Sequence, residues 1–427
     1  MADGITMLRV KSIIESDPAR RYVVVSAPGK RFGGDIKVTD LLYETYDNVV
    51  VSGETGAAFE KICERFRGIV SELKLDMDID AILAETGEAI VKEASPDFCA
   101  SRGEYLSGRV MAELLGIPFI DARDVVKFGP DGKLDNKRTY ALLAEALKGK
   151  KRALVTGFYG EDANGRVKTF SRGGSDISGA IVARAAGADL YENWTDVSGF
   201  LACDPRIVEN PVPIRSLSYK ELRELSYMGA NVLHSESIFP VREVDIPIRI
   251  KNTFRPEDEG TEILPTSRYT YSGRRVTGIA GKKNFTVIFL EKSLMNEEIG
   301  FTYRTLAVFM KHGISFEHIP TGIDTMSFVI DSAELKGGLL EEMCDEIRAA
   351  VNPDSLRVIN DIALIAVVGH GMTRSVGVSA RLFEAIARAG VNVRMIDQGS
   401  SELNIIVGVD NENYERTLKA VYEEFFD

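Results

Sequence analysis

The chain has 427 residues, 44% of them apolar and 27% charged, which is the composition of a water-exposed globular protein with two or more domains, each with its own core. A formal net charge of −12 and a pI of about 5.1 exclude a broad basic surface, and with it a nucleic-acid or anionic-membrane partner. Anionic nucleotide substrates stay open, because a local site and a divalent cation override the global field.

Four scattered cysteines (Cys63, Cys99, Cys203, Cys344) form no Cys-x-x-Cys pair and read as idle thiols of a reducing compartment. The four histidines carry no metal-ligand spacing, so no metal site is expected. Without a signal peptide or an apolar run of membrane-spanning length, the chain is expected in the cytoplasm.

In chain order, residues 1–17 place Met7, Val10, Ile13 and Ile14 on one helical face, and residues 22–26 form a β-branched, buried strand. Ser26-Ala27-Pro28-Gly29-Lys30-Arg31 and then Phe32-Gly33-Gly34 follow. A strand running into a basic, glycine-containing loop is a candidate phosphate contact, with a plain loop as the alternative. The spacing is not that of a P-loop. Thr39 is expected to cap a helix starting Thr39-Asp40-Leu41-Leu42. Residues 59–94 are helical, and Ser101-Arg102-Gly103-Glu104 precedes a further helix with Leu106, Val110 and Leu114 inward. On this reading Glu104 is a charge at a helix N-terminus.

Strands are expected at residues 117–121 and 153–157, with a strand-end turn at Gly157-Phe158-Tyr159-Gly160 and a hairpin turn at Asn164-Gly165. Phe170-Ser171-Arg172-Gly173-Gly174-Ser175-Asp176 then opens a helix. Its glycines let backbone N–H groups approach an anion, and the helix N-terminus adds positive charge. Arg172 suits a carboxylate and Asp176 an ammonium group. Thr195 and Asp196 follow a strand, ahead of an Asp204-Pro205-Arg206 turn, and ligands of open α/β sheets gather at strand ends. A helix at residues 219–227 and a strand at 246–251 complete an α/β sandwich with a largely parallel sheet.

The polar stretch 254–275 marks a domain boundary, and an internal repeat lies beyond it. Gly300, Gly313 and Gly322 are spaced 13 and 9 apart; Gly377, Gly390 and Gly399 repeat both spacings 77 residues later. The first two glycines of each set enclose an amphipathic helix, and the second is followed by a strand, a turn and a second strand. Two such units lay helices on one face of antiparallel sheets and leave edges able to pair with a second copy.

Those motifs together identify a resemblance to the aspartokinase family across almost the whole chain, most specifically in residues 171–176, 195–199, 204–206 and 229–234. The resemblance implies an amino-acid kinase three-layer sandwich with a mainly parallel sheet at 1–265 and a linker at 266–275. Two ACT (ferredoxin-like α+β) modules are implied at 276–355 and 356–427. It implies ATP-dependent phosphorylation of L-aspartate, with Mg²⁺, as the first step of lysine, threonine and methionine biosynthesis. Thr39, Glu104, Phe158, Arg172, Ser175 and Asp176 are implied to hold aspartate. Ser26, Gly29, Gly173 and Gly174 would lie along the transferred phosphate, and Thr195, Asp196 and Arg206 would hold ATP. Met295, Gly300, Phe301, Ser315, Phe316 and Glu317 match positions that bind lysine in lysine-inhibited members, and the ACT modules imply a homodimer or higher oligomer.

The sequence departs from the family in three places. The family opens with a strand ending Lys-Phe-Gly-Gly, and Met1-Ala2-Asp3-Gly4 corresponds to the stretch just after it. The lysine of Gly-Ala-Lys-Val-Leu-His is Asn231, and an expected nucleotide-contacting tyrosine is Leu201. The alternative to an active kinase is therefore an amino-acid-binding regulatory chain with impaired or no catalysis.

Overall fold

The structure, a computed structural model, describes residues 1–426 except 172, 231, 234 and 270–272. The expectations for Arg172, Asn231 and His234 thus lie outside the described residues. The chain divides into two compact units, Met1–Gly199 with Val232–Ser267, and Phe200–Asn231 with Arg268–Asp427.

In the first unit, three parallel strands run in the order Tyr22–Val25, Ala153–Thr156, Phe119–Ile120. The central strand is buried along its whole length, as a covered parallel strand must be. All three strands end at one edge, just before Ser26, Gly157 and Asp121. The helices Pro96–Leu115 and Gly174–Ala185 pack on these strands. Gly108 makes the first contact close, because a Cβ there would lie 2.9 Å from both Phe119 and Thr156. A second sheet pairs Tyr191–Thr195 in parallel with Ile248–Asn252, which pairs antiparallel with Thr261–Leu264.

Two local expectations are corrected. Thr39 does not cap its helix: the helix is Val38–Ser52, its N-cap is Lys37, and no side chain caps it, since a lysine offers no acceptor. Nor does Glu104 sit at a helix N-terminus. It lies in the middle of the 20-residue helix Pro96–Leu115, which begins at the N-cap Ser95 with Pro96 and Asp97 in its first turn. Gly103, expected ahead of the helix, lies inside it at a point of close approach: a Cβ there would lie 2.7 Å from the Cβ of Ala27.

The second unit is built on a five-stranded antiparallel sheet in the order Thr325–Asp331, Gly278–Glu291, Ser355–Val368, Asn404–Asp410, Met395–Asp397. Its two long strands, of 14 residues each, are shared. Residues Phe285 to Glu291 of the first pair with Thr325–Asp331 and with the first half of the second. Gly278 to Lys282 pair with the second half, which continues to Asn404–Asp410. The two repeats therefore interleave, and the second repeat borrows its outer strand from residues that precede the first.

The repeated glycines have a conformational basis. Gly300 and Gly377 are helix N-caps at φ 83° and 90°, and Gly313 and Gly390 follow the helix ends at φ 66° and 65°. All four cysteines are free and buried, and burial pushes the thiols up, to about 11 for Cys63 and Cys99 and about 12 for Cys203. No helix of the described residues is long and apolar enough to cross a membrane.

Candidate functional site

The edge where the three parallel strands end gathers most of the expected residues. Behind it, Gly103 lets the helix Pro96–Leu115 press against Ala27, with Val38 and Leu42 of the next helix alongside. The following residue, Glu104, then reaches the loop: its Oε1 accepts the Ala27 N–H at 3.0 Å. Its Oε2 is buried and has no partner. Burial pushes the carboxyl up to about 7, against the pull of the Ala27 N–H and the Arg102 charge. Arg102 itself is buried, with its guanidinium 4.3 to 5.3 Å from the rings of Phe98, Tyr105 and Tyr159.

The basic loop is pinned from below. Asp35 accepts from the Arg31 amide and guanidinium, which holds its carboxyl well below the usual range. The buried Arg65 donates to the carbonyls of Gly29, Ala2 and Ile36. Arg31 is thus engaged by Asp35, while Ser26 and Lys30 are exposed.

Gly157 closes the other side, since a Cβ there would lie 2.9 Å from the Val25 carbonyl and 3.1 Å from Ser175 Oγ. Phe158, at φ 76°, holds a conformation that L residues rarely adopt. It is kept there by a bond from its N–H to Ser178 Oγ at 2.9 Å, by Phe170 N–H on its carbonyl, and by packing on Gly174. Gly173 (φ 56°) is the N-cap of Gly174–Ala185, so the first amides of that helix carry no side-chain cap.

Asp176 Oδ1 accepts from Asn193 Nδ2 at 2.8 Å, and the Asp176 carbonyl accepts from the Tyr191 hydroxyl at 3.1 Å. Gly179 permits this, because a Cβ there would lie 2.5 Å from that hydroxyl. Burial raises the Tyr191 hydroxyl well above its ordinary value, so it remains a donor. The same strand ends at Thr195, whose Oγ1 donates to Asp196 at 3.2 Å.

The structure thus brings Ser26, Glu104, Phe158, Gly173, Gly174, Ser175 and Asp176 to one strand edge and ties Thr195 and Asp196 to it through Asn193. Thr39 is in the first turn of the helix Val38–Ser52, whose Val38 and Leu42 lie against Gly103. Arg206 belongs to the second unit, exposed and paired with Asp204 at 2.6 Å. Sequence reading missed Asn193, Tyr191, Ser178 and Arg65. The first two are alternate polar residues of one strand, and that is the only sequence signal they give.

The structure divides the expected effector residues: Met295, Gly300 and Phe301 lie at the start of the helix Phe301–His312, and Ser315, Phe316 and Glu317 follow its end. Gly300 is the N-cap of Phe301–His312, with Met295 and Phe301 buried beside it. Ser315 and Phe316 are exposed, the Phe316 ring meeting Phe309 and Phe328 edge-on. Glu317 lies beside the Tyr227 hydroxyl, which desolvation and that carboxylate together push up. Among the described residues, His312, Glu342 and Glu346 could together hold a metal ion, a grouping the sequence spacing does not reveal. Lys311 Nζ already lies 2.6 Å from Glu346.

Residues 22–252 match the amino acid kinase family, and residues 365–425 match an ACT domain. Aspartokinase 3 of Bacillus subtilis is 36% identical over 100% of this chain and 96% of its own length. Clostridium acetobutylicum aspartate kinase superposes with a TM-score of 0.94 at 49% identity, covering 99% of this chain and 97% of that one. Escherichia coli aspartokinase III superposes at 0.78 with 25% identity in its complex with aspartate and ADP, and at 0.76 with 26% identity in its complex with lysine and aspartate. Both cover 100% of this chain and 97% of that one.

Proposed function

The chain belongs to the aspartokinase family, and we propose that it transfers the γ-phosphoryl group of ATP to the side-chain carboxylate of L-aspartate, with feedback by L-lysine. The observation that carries the substrate reading is the orphaned Oε2 of Glu104, a buried acceptor at the sheet edge with no donor from the chain. Such a group calls for a donor from a ligand, and the α-ammonium group of an amino acid supplies one. Asp176, held in place by Asn193, is the second carboxylate for that end, and Arg172 is assigned the α-carboxylate by its place in the family motif.

No general base is required, because a side-chain carboxylate is already ionised at neutral pH. The chain's task is positioning and charge neutralisation. The uncapped amides at Gly174 and Ser175 suit phosphate oxygens. Phe158, clamped over Gly174, shields them from water. Thr195 and Asp196, at the end of their strand, take the nucleotide side, and Arg206 is assigned to ATP by its place in the family motif alone. Mg²⁺ would bind with the nucleotide phosphates, where it would neutralise their charge. Similarity to an aspartokinase across 100% of the chain favours this reading over a non-catalytic regulatory chain.

For the effector, the amides after Gly300 suit a carboxylate and Glu317 suits a cationic side chain, which favours lysine over threonine. Ile299, Tyr303 and Met310 are 95%, 76% and 78% exposed at that helix, which supports self-association through the regulatory unit. ADP release measured with aspartate, with glutamate and with added lysine tests the assignment. Aspartate-specific turnover that lysine suppresses supports it; turnover without aspartate overturns the substrate, and indifference to lysine overturns the effector.

A further inference from the structure

We infer that His312, Glu342 and Glu346 form a binding site for a divalent transition-metal cation of the zinc class, which ties together the two helices of the first repeat. The site lies wholly within the second unit. Each of the three side chains offers one ligand atom, and these atoms all lie within 4.8 Å of one another. In a tetrahedral site with ligands about 2.1 Å from the ion, the ligand atoms sit about 3.4 Å apart, so modest side-chain rotations close this set on a cation.

The packing of the two helices places the ligands before any ion arrives. Val308 and Phe309 of the helix Phe301–His312 share one buried cluster with Met343, Cys344 and Ile347 of the helix Leu339–Val351. Glu342 and Glu346, four residues apart, lie on one face of the second helix. His312 is the last residue of the first helix, ahead of Gly313 at φ 66°. The negative end of that helix dipole adds to the two carboxylates in favouring a cation.

The imidazole sets the site apart from an acidic surface patch. His312 Nε2 is buried and makes no hydrogen bond among the described residues, although Glu346 Oε1 lies 3.2 Å away. A buried ring nitrogen without a partner calls for one, and a metal ion supplies it. One imidazole and two carboxylates suit Zn²⁺ and the ions close to it, with water as the fourth ligand, whereas Mg²⁺ and Ca²⁺ favour oxygen ligands throughout. Lys311 Nζ lies 2.6 Å from the same Glu346 oxygen and supplies positive charge to the cluster. Its side chain is 63% exposed, so it can turn into water as a divalent ion takes its place.

The test uses the full chain, stripped of metal with a chelator and free of nucleotide. Zn²⁺ binding is read by calorimetry and Co²⁺ binding by its visible absorption, with Mg²⁺ and Ca²⁺ as comparison ions. One Zn²⁺ or Co²⁺ per chain is expected, bound at least about a hundredfold more tightly than Mg²⁺ or Ca²⁺. Glu342→Gln and His312→Gln are each expected to weaken Zn²⁺ binding by about tenfold or more. Thermal unfolding without metal checks that each variant folds, and Glu342, being exposed, keeps the test decisive if His312→Gln does not. Lys311→Ala, which removes the competing cation, is expected to tighten Zn²⁺ binding by about threefold. Absence of stoichiometric binding, equal affinity for Mg²⁺, or unchanged Zn²⁺ binding in Glu342→Gln overturns the inference. Weakening by Glu342→Gln with none by a folded His312→Gln reports an acidic patch and overturns it as well. Zn²⁺ bound by Lys311→Ala no more tightly than by wild type overturns it too, since the lysine would then not stand in the site.

Discussion

Glu104→Gln isolates a buried carboxyl that holds its proton unusually tightly. The carboxyl is 6% exposed and pushed up to about 7 from an ordinary 4.5. At about 1.4 kcal/mol per pH unit, this is a difference of roughly 3 kcal/mol between the protonated and ionised forms. The sign follows from proton linkage. The folded protein holds this proton more tightly than the unfolded chain, so its contribution is complete below 4.5 and is lost as pH rises through about 7. Glutamine keeps an acceptor for the Ala27 N–H and cannot ionise. Any cost of burying its amide is independent of pH and cancels when two pH values are compared.

Relative to wild type, the variant should therefore gain about 2.5 kcal/mol of stability between about pH 5 and about pH 8. The chain's single tryptophan, Trp194, lies in the first unit and reports urea unfolding there. A stability difference that is the same at both pH values would refute the buried, proton-binding carboxyl. The same variant should raise KM for aspartate by about tenfold or more, through loss of a charge-assisted bond to the substrate ammonium.

Three further outcomes follow from individual contacts. Gly103→Ala places a methyl group 2.7 Å from the Ala27 Cβ and should cost about 1–3 kcal/mol in urea unfolding while weakening aspartate binding; an unaltered unfolding midpoint would show that the helix and the loop are not in contact. Asn193→Asp sets a second carboxylate 2.8 Å from Asp176 and should raise KM for aspartate by about tenfold at neutral pH. An unchanged KM there removes Asp176 from the substrate site. Tyr227→Phe removes the hydroxyl beside Glu317 and should lower the lysine concentration for half-inhibition by about two- to fivefold. No shift in that concentration would separate Glu317 from effector binding.

Much of this arrangement is legible in the sequence wherever backbone geometry dictates residue type. The glycine repeat is readable because Gly300, Gly313, Gly377 and Gly390 all need positive φ at helix ends. The Arg-Gly-Gly-Ser-Asp run announces a helix start for the same reason, with Gly173 at φ 56°. Gly103 misleads because its reason is tertiary: its missing Cβ makes room for Ala27, and the helix runs through it. Long-range pairing is equally invisible. Nothing local in residues 278–291 indicates that one strand serves both repeats, or that residues 200–231 cluster with the regulatory unit. Asn193 and Ser178 are single polar residues without motif spacing, and their roles appear only when Asp176 and Phe158 arrive beside them.

The central claim is that an amino acid is held by its ammonium end between Glu104 and Asp176 while its side-chain carboxylate takes the phosphoryl group. Calorimetric titration of L-aspartate into wild type, Glu104→Gln and Asp176→Asn, paired with ADP release, tests it most directly. The account predicts saturable aspartate binding and aspartate-dependent ADP release in wild type, with both weakened in each variant. Aspartate binding of equal strength in all three proteins would contradict it.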